Sequence, residues 1–343
     1  MSEADNYRRW APDARGAYEV WYTTWNHPQT DQGFWLRFIT EAPQPGSGGA
    51  PPYGEAPRAE LWFARFDPRR PAKTFGVHKR FPDVRSSENP FKLAIGGAEL
   101  GHDHSVGLLA GDGHSIRWDL RWDPSPTIVR QLPDVMYARG GLGETTVHSP
   151  NPRVRLSGTL VVDGEEITFE RAIAGQTHLW GKKHAYSWTW GRCADFVGAP
   201  DALLELLGVR LSRRGVLLPP MTLVVLDLDG EQYRFNQFRH VVRNRGTWRT
   251  GRTTFEAWSP TVRIEGELTC TPDEMVQAPY LDPDGTEVFC CNTEIGDARV
   301  TVYKRSGLGW REVRRLEGRR RAHFEIGGRT RDPEVTRAHV LVP

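Results

Sequence analysis

The chain has 343 residues, enough for two domains of ordinary size or one large β domain. Its 45 basic and 43 acidic residues nearly cancel to a formal charge of +2, so no basic excess exists to neutralise a phosphate backbone and nucleic acid is not expected as a partner. The cysteines (Cys193, Cys270, Cys290, Cys291) form no C-x-x-C, no stretch reaches the roughly 18 apolar residues a membrane span needs, and "MSEADNYRRWAPDARG" lacks an apolar leader; the expectation is a cytoplasmic chain with reduced thiols and no integral membrane segment.

Period-two alternation dominates from the N-terminus onward. "AYEVWYTTW" (17–25), "FWLRFIT" (34–40), "AELWFARF" (59–66), "KTFGVHKRF" (73–81) and "HSIRWDLRW" (114–122) each read as strands. The Pro/Gly run 41–57 between them reads as a long loop, crossing a barrel mouth or disordered. "VRLSGTLVVDGEEITFERAIAG" (154–175) reads as a hairpin turning at Asp163-Gly164, and 221–242 as another turning at Asp229-Gly230. Further strands are expected at 261–270, 286–295 and 298–305, and one short helix at about 200–212, "PDALLELLGVRLS". The arginine-rich run from 311 alternates with apolar residues and reads as a strand pair with a solvated face.

With almost no helix and a Pro/Asn-rich boundary at "HSPNPRV" (148–154), the chain reads as all-β, with domains at 1–150 and 151–343, each a barrel or a sandwich.

The stretch "THLWGKKHAYSWTWGRCADF" (177–196) carries the strongest local signal. A hairpin ending in Gly175, then His178-Leu179-Trp180-Gly181, then Trp188-Thr189-Trp190, resembles the carotenoid 1,2-hydratase and AttH-like superfamily, as do the opening "GAYEVWYTTW" and the later "LDPDGTEVFCCNTEI". The resemblance implies two tandem lipocalin-like (calycin-type) antiparallel β-barrel domains packed together, with the His-x-Trp-Gly motif on the second and a lipophilic pocket in or between them. Its members include carotenoid hydratases, tocopherol-cyclase relatives and cofactor-free Diels–Alder cyclases, so fold transfers better than reaction.

From the resemblance, His178 and Trp180 are the direct carry-overs to an active site. The hydratases' Tyr-x-Asp pair falls on "TLVVLDLDG", where Asp227 keeps the carboxylate but Val225 stands in place of the tyrosine. From parity alone, Glu19 shares a strand face with Trp21, Thr23 and Trp25, and a carboxylate among rings must be paired or protonated. If pairing is unbroken from 184 to 192, His184, Tyr186, Trp188, Trp190 and Arg192 also share one face. Those rings fill a barrel or domain interface, or else form a pocket wall gripping a polyene and shielding a cation. The run His102-Asp103-His104 with His114 is loop-like and no metal site is assigned to it; "GGLGET" (140–145) lacks the strand–loop–helix setting of a nucleotide site.

The expected function is cofactor-independent catalysis on a lipophilic isoprenoid, polyene or polyketide: hydration, cyclisation or isomerisation. In it His178, Asp227 or Glu19 moves a proton while Trp21, Trp180, Tyr186, Trp188 and Trp190 bind substrate. The alternatives are a carrier for the same kind of ligand, and an interaction protein whose pocket is filled by its own rings. The oligomeric state is not readable from the sequence.

Overall fold

A computed structural model describes residues 3–11, 13–50, 52–137 and 144–342, and strand is its dominant regular structure. The first strands in chain order are β1 (Ala17–Asn26), β2 (Gly33–Ala42), β3 (Arg58–Phe66), β4 (Phe75–Phe81), β5 (Val84–Glu88), β6 (Phe91–Ile95), β7 (Ala98–Gly101), β8 (His104–Gly111), β9 (His114–Trp122), β10 (Val129–Arg130), β11 (Thr145–Val162) and β12 (Glu165–Gly181). Then come β13 (Ser187–Cys193), β14 (Leu203–Arg210), the small hairpin β15 (Ser212–Arg213) and β16 (Val216–Leu217), β17 (Met221–Leu228), β18 (Glu231–Phe235) and β19 (Arg245–Arg249). The chain continues through β20 (Arg252–Trp258), β21 (Val262–Thr269), β22 (Val276–Leu281), β23 (Glu287–Ser306) and β24 (Gly309–Gly328), and ends with β25 (His339–Val342).

Among the described residues two large sheets form. One has 13 strands in the order β25-β4-β3-β2-β1-β12-β11-β9-β8-β7-β6-β5, with β10 beside β11. The other has 10, in the order β18-β17-β14-β13-β24-β23-β21-β20-β19, with β22 beside β23. Each curls around its own apolar core. In the first, Phe75 of β4 stacks on His114 of β9 at 4.2 Å, bringing distant strands together. In the second, β19 folds back on β14, where a Cβ on Gly208 would stand 2.9 Å from the Trp248 ring. The all-β, lipocalin-like architecture expected from the sequence is what the chain adopts.

Three sequence expectations need correction. The boundary at 150 falls inside β11, and both β11 and β12 belong to the first sheet: β12 pairs with β1, Trp21 opposite His178 and Glu19 opposite Trp180. The His-x-Trp-Gly motif therefore stands on the first barrel. Its strand ends at Gly181, so the run 184–192 is not continuous; His184 lies in the connection and β13 begins at Ser187. The expected helix at 200–212 is strand β14. An apolar run buried on both faces has no polar alternation to betray it: Leu204 and Leu206 enter the second core while Leu207 enters the seam between the barrels.

The turns follow the sequence more closely. Asp163-Gly164 (φ 53° and 82°) and Asp229-Gly230 (φ 52° and 80°) adopt the left-handed conformation that a tight hairpin requires. The loop after β2 is pinned, not loose, with the Gln44 amide donating to the Pro283 carbonyl at 2.7 Å.

The barrels meet along the outer faces of β1, β2 and β3. Tyr18, Val20, Trp35 and Trp62 pack there against Trp188, Trp190, Tyr280 and Cys290. Gly33 allows the closest approach: a Cβ there would stand 2.5 Å from the Glu294 carbonyl oxygen. The seam is also polar. Asn26 donates from Nδ2 to the Glu294 carbonyl (2.6 Å), His323 lies 2.7 Å from Asn26 Oδ1, and Arg192 faces Glu205 at 3.5 Å.

Candidate active site in the first barrel

Strand alternation makes β1 a shared wall. Trp21 and Trp25 enter the core of the first barrel, while Tyr18, Val20 and Tyr22 enter the seam. Parity sends Glu19 inward with Trp21. There it meets His178, its Oε1 lying 2.8 Å from His178 Nε2, across 159 residues of sequence, with both side chains fully buried. Trp21 stacks on the His178 ring at 4.6 Å between centroids, and the Trp180 ring lies 4.9 Å from it. His148, opposite His178 on β11, completes the chamber, its ring edge-on to both His178 (5.4 Å) and Trp180 (5.1 Å).

Residues 3–10 close this chamber from above. The Asp5 carbonyl accepts from His178 Nδ1 (2.9 Å) and from His148 Nε2 (2.8 Å). The Arg9 amide donates to Glu19 Oε1 (2.7 Å), the Trp21 indole donates to the Asn6 carbonyl (2.9 Å), and the Arg9 guanidinium lies over Trp180 at 5.1 Å. None of Asn6, Asp5, Arg9 or His148 stands out in the sequence. The first three sit in a polar segment without periodicity, and His148 sits in a stretch that reads as a linker.

This geometry fixes protons. A carbonyl only accepts, so His178 carries a proton on Nδ1 and presents Nε2 to Glu19 as an acceptor. Burial pushes Glu19 up to about 8 and His178 down to about 3, so near neutrality the carboxyl is protonated and the imidazole stays neutral. Burial likewise holds His148 well below the ordinary imidazole range, helped by neighbouring His178. The other carboxyl oxygen, Glu19 Oε2, is buried and makes no hydrogen bond of normal geometry. The chamber thus contains a carboxyl kept neutral by burial, between tryptophan rings, with the Arg9 and Trp10 amides beside it.

The two shifts have opposite signs for stability. Glu19 keeps its proton where an unfolded carboxyl, near 4.5, has lost it, so its contribution is full below about 4.5 and is lost as pH rises through about 8. His178 refuses a proton that an unfolded imidazole, near 6.5, accepts, so its contribution is full above about 6.5 and is lost as pH falls towards 3. Urea unfolding is therefore expected to show lower stability at about pH 8.5 than at about pH 6, with a smaller drop in Glu19→Gln. Equal drops in the two proteins would refute the protonated carboxyl.

The remaining predicted residues lie elsewhere. Trp188 and Trp190 are buried in the seam: the Trp188 indole donates to Glu325 Oε1 (2.8 Å), and Trp190 meets Tyr22 edge-on at 5.4 Å. They are on the far side of β1 from Glu19. Tyr186 is 40% exposed. Asp227 stands on β17 of the second sheet beside Gln232, its carboxyl raised by burial, with no contact to the His178 chamber. The structure thus unites His178, Glu19, Trp21 and Trp180 and separates Asp227, Tyr186, Trp188 and Trp190 from them. Among the described residues no group of three or more His, Cys, Asp or Glu side chains is arranged to hold a metal ion, and no helix is long and apolar enough to cross a membrane. The stretch 140–145 lies, as far as residue 143, outside the described residues.

Fold and chamber together define a two-barrel, lipocalin-like protein with a buried carboxyl–imidazole pair in its first barrel. The tocopherol cyclase-like family model matches residues 15–328, and the chain belongs to that family. The probable chloroplastic tocopherol cyclase of Oryza sativa subsp. japonica is 25% identical over 221 residues, covering 61% of this chain and 47% of that protein. The chain thus spans about half of that relative's length. Among solved structures, a putative AttH from Nitrosomonas europaea superposes with a TM-score of 0.57 at 14% identity, covering 94% of this chain and 95% of that one. Kievitone hydratase from Nectria haematococca gives 0.53 at 10% identity (91% and 89% covered), and CghA with Sch210972 gives 0.51 at 11% (91% and 88%). These likenesses establish the fold and bear out the kinship read from His178-Leu179-Trp180-Gly181.

Proposed function

We propose that the protein is a cofactor-independent enzyme that protonates a carbon–carbon double bond of a lipophilic isoprenoid or polyketide. The observation that carries this reading is Glu19, a carboxylic acid kept protonated by burial, hydrogen-bonded to His178 and enclosed by Trp21 and Trp180. Glu19 gives its proton to the alkene and becomes a carboxylate, held by the Arg9 amide. The ring faces stabilise the carbocation by roughly 0.5–2 kcal/mol each, more where water is excluded. A hydroxyl of the substrate, or a water, closes on the cation and loses its proton to the Glu19–His178 pair, which restores the acid. Attack by the substrate's own hydroxyl is cyclisation, attack by water is hydration, and loss of a neighbouring proton is isomerisation.

Support comes from the family, whose description names tocopherol cyclisation, and from the hydratase among the structural neighbours, since both reactions fit this first step. Residues 3–10 cover the chamber, so the reading requires them to withdraw when substrate enters. The test is incubation with prenylated hydroquinones and linear polyenes in deuterated water, followed by mass spectrometry. The expected product is an isomer of the substrate, or its water adduct, with deuterium on carbon. Substrates that bind yet return unchanged and unlabelled would overturn catalysis and leave the carrier reading.

A further inference from the structure

The other face of the shared wall carries a polar group that the proposed chemistry does not use. Arg37 of β2 turns away from the first core, which its neighbours Leu36 and Phe38 enter, and towards the seam between the barrels. It is 3% exposed. A buried guanidinium is ordinarily paired with a carboxylate. Arg37 forms no ion pair among the described residues, and its Nε and Nη1 are buried without a hydrogen-bond partner.

What surrounds it is ring faces: Tyr280 at 4.6 Å, Trp35 at 5.1 Å and Tyr22 at 5.7 Å from the guanidinium carbon. Rings offset part of the charge but satisfy no N–H. The Tyr280 hydroxyl is buried beside it, with only the Cys290 thiol as a weak partner. Glu325 acts on Arg37 through space, while its Oε1 accepts the Trp188 indole N–H.

Arg37 and Tyr280 line one cleft, together with Val20, Ile39 and Trp62. Its free volume of about 30 Å³ suits a head group and excludes a whole isoprenoid. The two acids on the same cleft are already engaged, Glu41 by Arg58 (2.6 Å) and Glu60 by Arg80 (3.0 Å) and the Trp62 indole (2.7 Å). Neither reaches Arg37, whose one carboxylate influence is Glu325 acting through space.

We infer that this seam is a binding site for the carboxylate head of an amphiphile. Arg37 grips the two oxygens side by side, the Tyr280 hydroxyl donates to one of them, and the apolar body lies outside the cleft. A planar oxyanion matches the fork of a guanidinium, supplies the acceptors that Arg37 lacks, and offers the Tyr280 hydroxyl a stronger acceptor than a thiol. The site faces the opposite side of β1 from Glu19, so the inference does not depend on the proposed reaction.

The test is calorimetric titration of the full chain with decanoate and with decanol, its uncharged counterpart. Wild type is expected to bind decanoate at least about tenfold more tightly than decanol. Arg37→Gln is expected to lose roughly ten- to a hundredfold in decanoate affinity, the worth of a charge-assisted hydrogen bond, and little in decanol affinity. Tyr280→Phe is expected to lose severalfold for decanoate alone. Absent decanoate binding, equal affinities for the two ligands, or an Arg37→Gln protein unchanged towards decanoate would each overturn the site. If Arg37→Gln does not fold, unchanged decanoate affinity in Tyr280→Phe overturns it.

Discussion

Replacing Glu19 by glutamine is expected to lower turnover by about 10²–10⁴-fold and to leave the fold intact, because the side chain keeps its shape and loses only its transferable proton. Glutamine still accepts the Arg9 amide and still faces His178, so binding of substrate changes little and the loss falls on kcat. Rates and KM for the substrate found by deuterium labelling, with circular dichroism as a folding control, give the readout. Folded Glu19→Gln that turns over at the wild-type rate would remove this carboxyl from the mechanism. Asp227→Asn is the matched comparison: it removes the other predicted acid, which stands on the second sheet, and no loss of turnover is expected from it.

The second large effect is on stability. Trp21→Ala is expected to destabilise the protein by about 3–5 kcal/mol, the usual range for emptying a fully buried tryptophan site. Trp21 is fully buried, stacks on His178 and lies against Phe91, and its indole is the donor to the Asn6 carbonyl. Removing it opens a cavity beside the acid and leaves that carbonyl without its partner. Trp21→Phe refills much of the volume and is expected to cost clearly less. Urea unfolding of the three proteins checks this. A Trp21→Ala protein within about 1 kcal/mol of wild type would mean that the chamber collapses freely around the loss and that the ring does not hold His178 in place.

Half of the chamber is legible in the amino-acid sequence. The parity of "AYEVWYTTW" puts Glu19 with Trp21, and the fold keeps them on one face. The motif 178–181 marks His178 and Trp180. Their contact with Glu19 is not legible, since it depends on β12 pairing with β1 across most of the first barrel. The grouping of Trp188 and Trp190 with His178 fails for a local reason. The strand that carries His178 ends at Gly181, and the chain crosses to the other sheet before Ser187.

By itself the sequence determined the class of fold, the strands with polar alternation, the two Asp-Gly turns and the residue types of the acid site. Those are local properties: a side-chain period of two and a left-handed turn are written within a few residues. Tertiary structure decided which sheet owns β11 and β12, that the run 203–208 is a strand buried on both faces, and that residues 3–10 cap the histidines. It also decided the protonation of Glu19, since a carboxyl near 4.5 in water becomes an acid near 8 only when packing removes its solvent. Pairing partners and desolvation are long-range quantities, and no window of sequence contains them.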